Sequence, residues 1–361
     1  MKRFVTFISV MMFSVFTFAQ PNGGGFSGGS SSSGASTTYA FKKAINSLWQ
    51  YDSTNKVYYI VGLYYCSTPA SSSYEQMGIY VPEAYMNATA NSDGTYTYTC
   101  TINTTATVSG YTASTAPIVI PVNTPGYAAQ SAPSGSSSSV ASYTNAGYIY
   151  LWPGCRSKSE GAPSGVTDLK AAIRYYRYLQ AEQNAVPGNV NCMFSFGMSG
   201  GGAQSALLGA SGNSSLYDAY LNAIGADMDY KDDVCGSQCW CPITNLDEAD
   251  GAYEWNMGLT RSGLSTADAS ISKGLAASFA TYINSIGLKN PDTGETLTLS
   301  STSDGYYQSG SYYSYIMGVI NDAVSRYNSY NSASLSSYST TDASALNSFT
   351  SSNKTATKGL G

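Results

Sequence analysis

The sequence contains no histidine, and that absence excludes more chemistry than any other feature. There is no imidazole to serve as a general base, to ligate zinc or to titrate near neutral pH. Charge is scarce too: Lys, Arg, Asp and Glu make up 11% of the residues, against roughly 25% in ordinary soluble domains. Net charge is −5, and no stretch concentrates Lys and Arg, which excludes a nucleic-acid partner gripped through its phosphates. The longest apolar stretch, residues 4–18, is short of the about 20 residues that span a bilayer, so no stable membrane anchor is expected. Serine, glycine, threonine and tyrosine take the place of charge. Such a neutral, hydroxyl-rich surface suits an exported protein.

The first residues agree with export. Lys2 and Arg3 precede the apolar stretch, and Thr17-Phe18-Ala19 forms a small-x-small cleavage site before Gln20, so residues 1–19 read as a signal peptide. Residues 20–38 (QPNGGGFSGGSSSSGASTT) form a Gly/Ser-rich linker that cannot build a core. Secreted or periplasmic location follows as the expectation. Seven cysteines (Cys66, Cys100, Cys155, Cys192, Cys235, Cys239 and Cys241) in an exported chain are expected to be mostly paired in disulfides. The odd count leaves one thiol over, with Cys192, read as buried beside residues 197–201, a candidate. Cys235-x-x-x-Cys239-x-Cys241 has neither a histidine nor a second cysteine pair near it, so no metal and no cofactor is expected.

Residues 56–66 (KVYYIVGLYYC), 77–86 (MGIYVPEAYM), 116–127 (APIVIPVNTPGY), 146–155 (AGYIYLWPGC) and 190–196 (VNCMFSF) carry the β-branched and aromatic content of strands. Residues 87–115 read as an exposed β excursion. From 164 to 183 the period turns helical, with Val166, Leu169, Ala172, Ile173, Tyr176 and Leu179 on one face and Ser164 as N-cap. Strand–helix–strand–helix order predicts an α/β fold, a mostly parallel sheet with helices on both faces. Beyond residue 250 only helical segments and Ser/Gly-rich loops follow. The chain divides into a core at 39–249 and a helical region at 250–361.

Residues 194–212, FSFGMSGGGAQSALLGASG, hold the most informative motif. Gly197-Met198-Ser199-Gly200-Gly201 follows an apolar strand and opens a small-residue helix, which is the setting of a nucleophile elbow. Ser199 is the candidate nucleophile. The Gly200 amide, at a helix N-terminus, points to where an oxyanion would form. A second donor is expected from the loop at 122–127 (VNTPGY), where Pro125 has no N–H and Thr124 or Gly126 must serve. Lys158, Lys170 and Lys231 are the nearby substitutes for a missing base, and nothing brings them to Ser199. The acidic run at 225–233 lacks the spacing of a calcium loop and reads as a solvated surface.

Residues 197–213 (GMSGGGAQSALLGASGN) and 242–255 (PITNLDEADGAYEW) resemble the bacterial tannases and related feruloyl-esterase-type carboxylesterases. So do residues 153–179 (PGCRSKSEGAPSGVTDLKAAIRYYRYL) and 71–82 (SSSYEQMGIYVP). The resemblance covers roughly residues 58–288. It implies an α/β-hydrolase fold with a helical lid inserted after the sixth strand, and hydrolysis of phenolic-acid esters through an acyl-enzyme. In that family the acid and histidine of the triad lie beyond the lid, so the resemblance implies that this chain ends inside the lid, with the last strands missing. The expectation is a secreted serine esterase whose partner is a small-molecule ester, inactive in the sequence as it stands. The alternative is a pseudo-hydrolase that binds phenolic or carbohydrate ligands without turnover.

Overall fold

The computed structural model of the chain describes residues 40–242 and 245–330. The signal peptide and linker expected at 1–38 lie outside the described residues, as does the end of the helical region. Seven strands form the main sheet: β1 (Gln50–Asp52), β2 (Val57–Tyr64), β3 (Gln76–Pro82), β8 (Ile118–Val122), β9 (Ile149–Pro153), β10 (Met193–Met198) and β11 (Gly236–Trp240). Their order is β1-β2-β3-β9-β8-β10-β11. β4 (Met86–Ala90) pairs with β5 (Tyr98–Ile102), and β6 (Thr107–Val108) with β7 (Tyr111–Thr112), in two small side hairpins. These hairpins are the excursion expected at 87–115.

The sheet is mixed rather than mostly parallel. β1, β2, β3 and β9 pair antiparallel, while β9, β8, β10 and β11 run parallel. The connection 65–75 between β2 and β3 contains no helix, and parallel neighbours need a long crossover. Pro121 sits inside β8, where a ladder N–H is lost. There β9 has already diverged, since β8 and β9 stay in register only at Ile118↔Ile149 and Val119↔Tyr150. The buried Gln130 side chain fills the gap, its Nε2 donating to the carbonyls of Pro121 (3.1 Å) and Pro153 (2.5 Å).

Among the described residues seven helices accompany the sheet: α1 (Ala141–Thr144), α2 (Ser164–Ala181), α3 (Gly200–Ala210), α4 (Asp218–Ala223), α5 (Leu246–Met257), α6 (Thr266–Ile286) and α7 (Ser311–Tyr330). α2 is buried nearly all round, including every apolar residue of its predicted face. Its N-cap is Pro163 rather than Ser164, whose hydroxyl instead donates to the Glu160 carbonyl. Val166, Leu169 and Ile173 of α2, with Leu208 of α3, join Ile60, Ile79, Leu151 and Ile120 of the sheet in one core. Where α3 crosses the sheet, buried serines make the seam: Ser205 donates to Ser195, which is 2.8 Å from Ser237.

The opposite face of the sheet is only partly covered. Val57, Tyr80, Val119 and Tyr150 pack there with Val140 and Tyr143 from the segment around α1. On β10 the exposure alternates, so that Phe194 and Met198 stand open (38% and 54%) while Met193, Ser195 and Gly197 are buried. The continuous apolar run at 190–196 therefore has one buried face, not two, among the described residues. α5, α6 and α7 build a separate apolar cluster around Trp255, Phe279, Ile283 and Leu299.

Two ion-pair groups are buried behind the sheet's helices. Asp168 accepts from Arg156 at Nη2 (2.7 Å) and from the Arg156 backbone N–H (2.7 Å), with fully buried Glu75 3.6 Å from the same guanidinium. Asp232 accepts from Lys170 Nζ (2.7 Å), Arg174 Nε (2.7 Å) and the Asn213 N–H (2.8 Å). Asp232 and Asp227 are almost wholly buried, which corrects the solvated-surface reading of the 225–233 run at those two positions, while Asp229 and Lys231 are exposed. All seven cysteines are free thiols in this structure, so the expected disulfides are absent from it. Cys192 is half-buried and lies at the opposite end of β10 from Ser199.

Candidate active site

Ser199 stands between the end of β10 and the start of α3, exposed, with φ 56° and ψ −122°. Such backbone angles in a non-glycine residue cost about 1–3 kcal/mol and persist only where surrounding contacts enforce them. Those contacts are present. The Ser199 N–H donates to the Trp240 carbonyl at the end of β11 (2.9 Å), and its own carbonyl accepts from Ala203 in the first turn of α3 (2.9 Å). The serine is thus tied to the neighbouring strand on one side and its helix on the other.

Glycine is required around it by close approach. A Cβ on Gly197 would stand 2.5 Å from the carbonyl oxygens of Gly201 and Val122, and one on Gly201 would collide with Val122. These contacts let α3 begin directly against the ends of β8 and β10. A Cβ on Gly200 would stand 2.5 Å from the Thr124 carbonyl oxygen and 2.6 Å from the Tyr127 nitrogen. The loop 124–127 and the N-terminus of α3 are therefore in contact.

The loop is itself held in an unusual shape. Gly126 and Tyr127 both have positive φ (58° and 61°), and the Tyr127 N–H turns back to the Thr124 carbonyl (2.9 Å). Thr124 is fully buried, and its hydroxyl donates to Gln204 Oε1 on α3 (2.8 Å). Thr124 thereby anchors the loop to the helix that starts at Ser199. Gln204 escaped the sequence reading. The signal was a single long amide in a helix otherwise made of Gly, Ala, Ser and Leu.

No base approaches Ser199 from the lysines. Lys170 is occupied with Asp232 and the Ser211 carbonyl (2.6 Å), at the far end of α3. Lys158 sits in a short turn at Lys158–Glu160, and Lys231 lies in the loop before β11.

No protein-family model matches the chain, and no curated protein does. Solved structures do. Fusobacterium nucleatum tannase is 31% identical, with a TM-score of 0.56, over 75% of this chain and 60% of that one. The native tannin acyl hydrolase from Lactobacillus plantarum is 28% identical, with a TM-score of 0.55, over 75% and 60%. A tannin acyl hydrolase in complex with ethyl gallate is 29% identical, with a TM-score of 0.55, over the same shares. The chain is tannase-like. It spans about 60% of the length of these tannase structures.

In this tannase-like chain the phenol of Tyr127 lies near Tyr253 of α5. Its oxygen is buried without a hydrogen-bond partner, and burial, with the Tyr253 phenol nearby, raises its pKa. Tyr253 also lines a cavity of about 410 Å³ among the helices, with Phe279, Tyr282, Tyr312 and Asn256. The Asn256 Oδ1 is buried and unpaired. None of Ser199, Gly200, Thr124 and Gly126 lines that cavity. Tyr127 was legible only as part of a Pro-Gly turn, and Tyr253 as one of many tyrosines.

Proposed function

We propose that this chain carries the nucleophile-bearing part of an exported serine carboxylesterase of α/β-hydrolase type, acting on phenolic-acid esters, with residues 250–330 as part of its lid. The observation that carries the proposal is the backbone of Ser199, held at φ 56° with the glycine-lined α3 N-terminus against the 124–127 loop. In this reading the Ser199 hydroxyl attacks the ester carbonyl. The Gly200 N–H and a donor from the Thr124–Gly126 loop hold the oxyanion, and expulsion of the alcohol leaves an acyl-enzyme that water cleaves. Ethyl gallate, the ligand of one similar structure, is the natural probe.

The missing part is the base. Without an imidazole the serine keeps its proton, and a triad that loses one member retains only a residual ~10³–10⁴-fold acceleration over water. Release of ethanol from ethyl gallate by the full chain should therefore match that of Ser199→Ala. Adding imidazole to the buffer should raise the wild-type rate and leave Ser199→Ala at background. Equal rates for the two proteins in imidazole would remove Ser199 from the mechanism.

A second reading is ligand binding without turnover. The aromatic cavity of α5, α6 and α7, with its unpaired Asn256 oxygen, favours it. Saturable binding of ethyl gallate that is lost in Tyr282→Ala and kept in Ser199→Ala, with no imidazole-dependent hydrolysis, would select this reading over the first.

A further inference from the structure

We propose that Cys192 and Cys235 form a disulfide in oxidising solution, stapling edge strand β11 to its neighbour β10. The two residues immediately precede those strands, at the same end of the sheet. Three backbone hydrogen bonds fix their positions. The Cys235 N–H donates to the Met193 carbonyl (2.8 Å), the Cys192 N–H to the Asn189 carbonyl (2.8 Å), and the Cys192 carbonyl accepts from Ile118 of β8 (3.0 Å). The Cys192 and Cys235 thiols are close enough to influence each other's ionisation, the Cys235 thiol adding to burial in raising the Cys192 pKa. Cys235 is exposed and Cys192 half-buried, so an oxidant reaches the pair.

The other thiols are placed differently. Cys66, Cys100 and Cys155 are buried, and burial pushes the Cys100 and Cys155 thiols up to about 12, which keeps them protonated and unreactive. Cys239 pairs with Gly197 farther along β11, toward the Ser199 end.

The bond would form by ordinary thiol–disulfide exchange. The exposed Cys235 thiolate attacks the disulfide of a glutathione or oxidoreductase donor, expelling one thiolate. Cys192 then attacks the mixed disulfide and expels the second. Two protein thiols are oxidised, one donor disulfide is reduced, and the two protons go to the departing thiolates. The closed loop would contain Ser199, α3, α4 and Asp232. It would tie β11 to β10, its one ladder partner among the described residues. The inference stands apart from any esterase activity.

The test uses the full chain, incubated with oxidised glutathione in native buffer, blocked with N-ethylmaleimide and digested without reduction. The expected product is a Cys192 peptide linked to a Cys235 peptide, with a melting midpoint roughly 5 °C above that of the reduced protein. Cys192→Ser should lose both effects, and Cys66→Ser should keep both. Full alkylation of Cys192 and Cys235 after native oxidation would overturn the proposal, as would linkage of Cys235 to Cys239 or Cys241. So would a Cys192–Cys235 link that forms equally well in urea, because only folding brings the two thiols together.

Discussion

The sheet with its flanking helices and the helical group α5–α7 hold themselves together in different ways. Around Ser199 the backbone of one element touches the backbone of the next, with no room for a methyl group at Gly197, Gly200 or Gly201. Buried charges brace the same region from behind. In the helical part, α5, α6 and α7 meet chiefly through side chains such as Trp255, Phe279 and Ile283, although a Cβ on Gly251 of α5 would stand 3.1 Å from the Leu275 carbonyl oxygen of α6, while Gly274 faces open space. Ile271, Ile286 and Val319 stand exposed there. Backbone-to-backbone contact fixes positions closely and tolerates no change. Side-chain packing with exposed apolar surface leaves room for repacking against another surface. The first arrangement suits a place where a strained serine must be held, the second a surface free to repack.

The contrast breaks most sharply at Asp232. Its carboxylate faces both Lys170 and Arg174 with almost no solvent. Asp232→Ala strands two buried cations and should cost about 3–5 kcal/mol, read as a fall in the denaturant midpoint. Arg261→Ala removes the exposed guanidinium paired with Glu254 (2.7 Å) in the helical part, and should cost about 1 kcal/mol or less. Equal losses would mean the two parts are braced alike. Gly201→Ala is next. Its methyl group meets the Val122 carbonyl, main chain that cannot rotate away, and the expected loss is about 3 kcal/mol.

A pH titration sharpens the same division. Burial, with Asp168 beside it, pushes the Glu75 carboxyl up to about 7 from 4.5. The folded state therefore holds a proton that the unfolded chain releases earlier. Stability contributed by that proton is complete below about pH 4.5 and is lost as pH rises to about 7, a change of about 3 kcal/mol. Glu75→Gln, which keeps a donor beside Asp168, should flatten this slope in chemical unfolding between pH 4.5 and 8. A slope that survives the substitution would place its origin elsewhere.

Much of the candidate site was readable because its signals are local. A Gly-x-Ser-x-Gly run after VNCMFSF needs only its neighbours to be recognised, and α2 announced itself by its period. The ion pairs were not readable. Asp232 sits in a polar run that looks like a surface loop, and its partners Lys170 and Arg174 are on a helix far back in the chain. Asp168, near the start of α2, likewise carries no sign in the sequence that Arg156 wraps it. The direction of the β2, β3 and β9 pairings was partly legible. A short connection without a helix excludes a parallel crossover, and that weight belonged above the overall strand–helix alternation. Burial of β10 on both faces was over-read, because an apolar run does not say whether a second layer covers it.

The smallest effect has the opposite sign. Gly274 lies in the middle of α6 with nothing within 4 Å of where a Cβ would stand. Alanine there restricts the unfolded chain and meets no neighbour, so Gly274→Ala should stabilise the helical part by about 0.5–1 kcal/mol. The same change at Gly201 should destabilise by several times as much. Helix propensity favours alanine at both positions, so the difference in sign isolates tertiary contact from local preference. Measured by chemical denaturation, a loss at Gly274 would show that the helical part is as closely fitted as the turn at Ser199, and the contrast between braced serine and loosely fitted helices would fall with it.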